Sequence, residues 1–222
     1  MTDRQIEILI DSLLPLLKAG VVFTIPLALV SFALGLIVAV ATALARLSTI
    51  RVLRLVARFY VWIIRGTPLL VQLFIIFYGL PYAGITLDPF IASVIGFTLS
   101  VGAYGSEIVR AAILSIHKGQ WEAAYSIGMT RWQALRRVIL PQAARVAIPP
   151  LGSSFISLVK DTSLAATILY MEMFRVAQQI SAAKYEPLLI YSAAGAIYLL
   201  FCSVLSWLQN ITEKRLARYS AS

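Results

Sequence analysis

Residues 122–141 read EAAYSIGMTRWQALRRVILP, a short, mostly polar, strongly basic island inside a very apolar chain. Two short helices fit it. Gly128 suits the left-handed residue that closes a first helix, and Thr130 with Gln133 three residues on is the capping-box pattern that opens a second. Pro141 ends that pattern or opens the next helix. On the second helix Trp132, Leu135 and Ile139 fall on one side, while Arg131, Arg136 and Arg137 spread over the remainder. The result is a small amphipathic platform, placed where membrane and water-soluble machinery would meet. Charge alone would make it an ordinary basic cytoplasmic loop.

Working outward, 60% of the 222 residues are hydrophobic and only 13% charged, and the mean hydropathy is +0.85. An ordinary soluble domain is nearly half apolar and about a quarter charged, so this composition belongs to a membrane protein. One Cys and one His leave no disulfide framework and no cluster of soft metal ligands. The net charge of +9 fits either a nucleic-acid partner or cationic loops on the cytoplasmic side of a bilayer. The placement of the basic residues favours the second reading.

Upstream of the island, residues 1–18 carry Asp3, Arg4, Glu7, Asp11 and Lys18 and lack the positive start of a cleavable signal peptide. The uncharged run 19–45 is long enough to cross a hydrocarbon core, with Pro26 a mild kink near its outer end and Gly35 a packing contact. Arg46, Arg51, Arg54 and Arg58 crowd the next connector, either as topology determinants or as one face of a surface helix. A second span, 59–80, contains Arg65, which must reach the interface, a wet cavity or a carboxylate. Thr67 followed by Pro68 reads as an N-cap with Pro at the first helical position and predicts a restart or kink, and Gln72 offers an interhelical hydrogen bond or a place on a solute path. The third span, 89–113, carries Glu107. It is either a functional carboxylate or an intrahelical partner of Arg110, one turn away. His117, just past that helix, reads as a loop residue.

Downstream, the fourth span, 143–169, is interrupted on sequence grounds by Pro149, Pro150 and Gly152, and it carries Ser153, Ser154 and Ser157. Broken polar helices at membrane depth line a cavity or are buried in protein, so Lys160, Asp161 and Thr162 in its continuation are candidates for a translocation path. The alternative makes Asp161 or Thr162 a cap for a following short helix. Residues 170–187, with Glu172, Arg175, Lys184 and Glu186, read as an outer segment with a short helix. The last span is 188–209, where Cys202 is a packing residue, and the tail carries Lys214, Arg215 and Arg218. The expected fold is a single all-α domain over residues 1–222, a polytopic bundle of about five transmembrane helices. Its start lies outside and its end inside, and its long cytoplasmic loop is 118–141. Neither a phosphate-binding loop nor a hydrolase or metalloprotease motif is present, so no enzyme and no resident cofactor or metal is expected.

The pattern EAA-x3-G-x9-I-x-LP places Glu122, Ala123, Ala124, Gly128, Leu140 and Pro141 in register, with Val138 at the Ile position. It resembles the EAA coupling loop of the membrane subunits of bacterial ABC importers. The runs 65–68 (RGTP), 119–121 (GQW) and 157–164 (SLVKDTSL) are similar to the polar amino acid branch of that family, and 118–166 is similar to its L-cystine permeases. The resemblance implies a pore of two such subunits in the bacterial inner membrane, with the N-terminus periplasmic and the C-terminus cytoplasmic. It also implies a pair of cytoplasmic ATPases that hold ATP and magnesium, and a periplasmic binding protein that delivers the substrate. The six motif residues would couple the ATPase to the pore. Glu107, Lys160, Asp161, Thr162 and Gln72 would belong to the substrate path, where a zwitterion needs groups of both signs. No nucleic acid is implied. A secondary amino acid transporter driven by an ion gradient is the competing reading.

Overall fold

The computed structural model describes residues 2–218, with side chains described as far as residue 215; the expectation for Arg218 in the tail falls outside those side chains. Every regular element is helical among the described residues. Helix α1, Asp3–Ala19, opens on a capping box in which Thr2 and Gln5 satisfy each other's backbone N–H groups. It passes through a π turn, Gly20–Thr24, into α2, Ile25–Leu47, making one apolar rod of 45 residues. The first span is thus the second half of a longer helix than residues 19–45 alone suggest.

Helix α2 runs beside α5, Pro89–Ser115. The buried side of α2 is a ladder of small residues, Ala28, Ser31, Gly35, Ala39 and Ala43, and α5 answers with Gly102, Ala103, Gly105 and Ser106. In lipid, close packing of small residues replaces the hydrophobic drive that holds helices together in water. A Cβ added at Gly35 would stand 2.5 Å from Val101 Cγ1, so the glycine is needed for the approach.

Residues 59–80 do not form one straight span. Helix α3, Arg51–Gly66, and the helical segment Leu69–Ala83, which begins with α4, Leu69–Phe74, meet at 104°. The break falls where Thr67–Pro68 predicts it, with one difference: Thr67 does not cap the new helix but turns its hydroxyl back to the Ile63 carbonyl at 2.9 Å. The carbonyls freed at the break are taken up by Gln72, whose Nε2 donates to Ile64 O (2.8 Å), Thr67 O (3.1 Å) and Thr67 Oγ1 (2.9 Å).

After the hairpin of α6, Lys118–Ser126, and α7, Arg131–Ala134, the chain enters α8, Leu140–Asp161. The interruption expected at Pro149, Pro150 and Gly152 is absent, because α8 continues through both prolines. Tertiary contacts support it there: Gln209 of α10, Pro187–Arg218, donates to Pro149 O (3.2 Å) and to Ser153 Oγ (3.0 Å). Among the described residues, length and composition mark three helices as able to cross a membrane, or four with the bent pair. The expected span 143–169 is not among them. It combines α8, which carries Arg145, Lys160 and Asp161, with a 3-10 turn, Thr162–Ile168, and it is packed against α5 and α10.

Helix α9, Met173–Lys184, joins α1 and α10 in a second apolar cluster around Leu16, Met173, Ala177 and Ile190. Its N-cap is the fully buried Glu172, which accepts from the Arg175 N–H at 2.6 Å and the Tyr198 hydroxyl at 2.8 Å. Burial pushes this carboxyl above the usual carboxylate range, against the pull of those hydrogen bonds. Replacing Gly35 with Leu should overpack the α2–α5 seam and cost about 1–3 kcal/mol, seen as an earlier loss of the monodisperse species on heating in detergent. Unchanged thermal stability would contradict the packing described.

Candidate functional site

The hairpin at 118–141 is fixed by local chemistry at each joint. His117 Nδ1 accepts from the Gly119 N–H at 3.1 Å, so the histidine read as a loop residue in fact caps α6. At the other end Gly128 takes φ +79°, with its N–H donating to Tyr125 O (2.9 Å) and the Met129 N–H to Ala124 O (3.1 Å). This pair of bonds is the Schellman closure. Thr130 and Gln133 then exchange bonds at 2.9 and 3.3 Å and open α7. A π turn, Leu135–Ile139, leads into α8 with Pro141 in its first turn, where the missing N–H costs little.

Burial separates the hairpin into anchor and contact. Ala124, Ala134 and Ile139 are buried, and Ile139 packs with Ala43 of α2 and Val109 and Ile113 of α5. Glu122, Ala123 and Gly128 are exposed, as is Trp132, which the helical spacing had grouped with Ile139. Gln142 Nε2 reaches across to Gln120 Oε1 at 3.1 Å and ties α8 to α6. Leu140 and Pro141 serve the joint with α8, where Leu140 is half-buried and Pro141 exposed. The arrangement offers no catalytic chemistry. It is a stiff polar surface fastened to the membrane helices.

Further into the bundle, Glu107 gathers three arginines. Its Oε1 lies 2.7 Å from Arg46 Nη1 of α2 and 3.1 Å from Arg65 Nη1 of α3. Its Oε2 accepts from Arg110 Nη2 at 2.9 Å and Nε at 3.1 Å within α5. Both readings of Glu107 are therefore present in one place: the intrahelical pair with Arg110 exists, and two further helices converge on the same carboxylate. Arg65 meets a carboxylate and also stands 5.3 Å over the Tyr104 ring. Three guanidinium groups against one carboxylate leave the cluster cationic.

Glu107 and Arg65 of this cluster line a cavity of about 580 Å³, whose other walls include Ser100, Tyr104, Ser153, Ser154, Ser157 and Asp161. Of the five path candidates, the structure brings Glu107 and Asp161 to this cavity. Lys160 is exposed and does not line it, Thr162 is buried with its hydroxyl donating to Val159 O at 2.7 Å, and Gln72 is committed to the α3–α4 break. Sequence reasoning missed Arg46 and Tyr104, since neither has a local signal: the first was one of a row of arginines, the second one apolar ring among many. The three serines were visible as a polar run on one side of α8.

Charge-to-neutral changes here should rank by burial. Glu107→Gln, which leaves three guanidinium groups facing one another, should lower the melting temperature most. Arg46→Gln (14% exposed) should follow and Arg65→Gln (43% exposed) be mildest. Added salt should recover part of the Glu107→Gln loss by screening. Equal melting temperatures across the series would contradict the shared carboxylate.

Comparison with known proteins is consistent with this geometry. Residues 31–218 match the family described as binding-protein-dependent transport system inner membrane components. The chain is 58% identical over 212 residues to the L-cystine transport system permease protein TcyB of Bacillus subtilis, covering 95% of this chain and 91% of that one. It is 39% identical over 205 residues to the glutamine transport system permease protein GlnP of Escherichia coli, covering 91% and 94%. A crystal structure of an amino acid ABC transporter with histidines superposes with a TM-score of 0.89 at 35% identity, covering 97% of this chain and 100% of that one.

Proposed function

The chain belongs to the binding-protein-dependent transport system inner membrane component family, and from that premise we propose how its two sites carry out transport. It is the membrane-spanning permease subunit of an amino acid ABC importer. L-Cystine is the substrate supported by the high identity to a cystine permease over nearly the whole chain. ATP and magnesium belong to a separate cytoplasmic ATPase pair, a periplasmic protein delivers the amino acid, and two copies of this chain enclose the pore. The cation-rich end, with Arg46, Arg51, Arg54 and the hairpin, faces the cytoplasm, so that the N-terminus is periplasmic and the C-terminus cytoplasmic.

The observation that carries this reading is the exposed hairpin locked at both joints and anchored through Ile139. Glu122 and Ala123 present a surface that an ATPase groove can grip, while Ala124, Gly128, Leu140 and Pro141 keep its shape. ATP-driven closure then moves α8 along with the hairpin. Because α8 lines the cavity with Ser153, Ser157 and Asp161, the motion reaches the substrate path directly. In that cavity Asp161 suits the ammonium of an amino acid and the surplus guanidinium charge around Glu107 suits its carboxylate. Lys160 and Thr162 act on the path only through the backbone that places Asp161, and Gln72 through the bend that places Arg65.

Gly128→Val puts a β-branched residue at φ +79°, where it is strained by roughly 1–2 kcal/mol. We expect at least a tenfold loss of ATP-dependent cystine uptake in vesicles reconstituted with the ATPase and binding protein, with the chain still inserted. Gly128→Asn, which accepts that conformation, should keep most of the uptake. Wild-type uptake by Gly128→Val would count against coupling through the hairpin.

A further inference from the structure

A second cavity, of about 540 Å³, opens where the hairpin meets the ends of α2 and α5. Its floor is apolar, formed by Leu47, Ile113 and Leu135, and two indoles, Trp121 and Trp132, stand along it. Lys118 and Arg131 also line it, and no acidic residue does. Neither cation takes part in a salt bridge among the described residues. Arg131 Nη2 donates to Leu47 O at 3.4 Å, which draws the guanidinium across the cavity's edge and leaves its other nitrogens open. Ser48 and Thr49 complete the rim; Ser48 Oγ already accepts from the Ile50 N–H at 3.1 Å, so its proton is available to an acceptor.

An apolar floor, an indole belt and a cationic, hydroxyl-bearing rim match the layers of a bilayer's edge: acyl chain, interface and anionic headgroup. A cavity of this size is in the range of small-ligand sites, which run from about 300 to 1,000 Å³. We infer that this cavity holds one anionic glycerophospholipid, an acyl chain against Leu47, Ile113 and Leu135 and the phosphate between Lys118 and Arg131. The occupant is lipid because the cavity sits at the cation-rich end of membrane-spanning helices. A headgroup with net negative charge is selected because the rim holds cations with no acid to neutralise them. The lipid bridges α2 and α5 to the hairpin, filling a space that the chain's own side chains leave empty beside the coupling surface.

The test is native mass spectrometry of the purified, delipidated full chain with phosphatidylglycerol or phosphatidylcholine of identical acyl chains. One phosphatidylglycerol per chain should be retained at least tenfold more tightly than phosphatidylcholine. Lys118→Gln with Arg131→Gln should abolish that preference, while Arg51→Gln with Arg54→Gln, on exposed α3, should leave it intact. Leu114→Trp, which fills the cavity, should remove the bound lipid of either kind. As an independent check on folded wild-type-like protein, a Trp62→Phe, Trp207→Phe background leaves Trp121 and Trp132 as the only indoles. Brominated phosphatidylglycerol should quench them, and glycerol 3-phosphate should not relieve the quenching. Equal retention of the two lipids, a preference that survives the Lys118 and Arg131 changes, displacement by glycerol 3-phosphate, or a lipid-free dimer protecting both indoles would each overturn the inference.

Discussion

One carboxylate holds the cation-rich end of this bundle together. Arg46, Arg65 and Arg110 come from three helices, and in a low-dielectric setting three guanidinium groups this close would repel strongly without a shared counterion. Glu107 supplies it and so fixes the end of α2, the end of α3 and the last turns of α5 relative to one another. Those are the same regions of α2 and α5 on which Ile139 rests. The hairpin therefore stands on a base whose geometry is set by electrostatics from one side and by apolar packing from the other.

The same end of the molecule carries both the exposed hairpin surface and one wall of the cavity. Helix α8 joins them: its first turn closes the hairpin at Pro141, and its later turns present Ser153, Ser157 and Asp161 to the cavity. A movement imposed on α6 crosses the turn at 127–130, which is pinned by the Gly128 and Thr130 hydrogen bonds, and then meets α7, the π turn and α8, which follow one another without non-helical backbone. Through that run the exposed hairpin and the cavity wall belong to one structural unit.

How much of this was readable in the sequence depended on whether the signal was local. The hairpin was readable because its joints are made by residues three to five apart: Gly128 at its left-handed turn, Thr130 with Gln133. The break at Thr67–Pro68 was readable for the same reason, but its 104° angle and the role of Gln72 depend on acceptors that only the folded bend brings within reach. Pro149 and Pro150 misled, because their local cost is real while the packing of α8 against α5 and α10, with Gln209 bonded across to Pro149 O, comes from residues distant in sequence. The capping box of Thr2 and Gln5 is equally local, made by residues three apart, and the sequence reading did not include it. For the cavity, Glu107 and Asp161 stood out as charges in apolar surroundings, while Tyr104 in its wall and Arg46 behind Glu107 gave no signal until the helices were placed.

Hairpin and α8 should move as one body. Spin labels at Ser126 and Val146 of the same chain, both exposed, measured by pulsed electron paramagnetic resonance in the assembled importer with and without bound ATP, test it directly. The Ser126–Val146 distance should stay constant to within about 2 Å, while the distance between the two Ser126 labels of paired chains shortens on ATP binding. A Ser126–Val146 distance that changes with nucleotide while the distance between chains does not would contradict it.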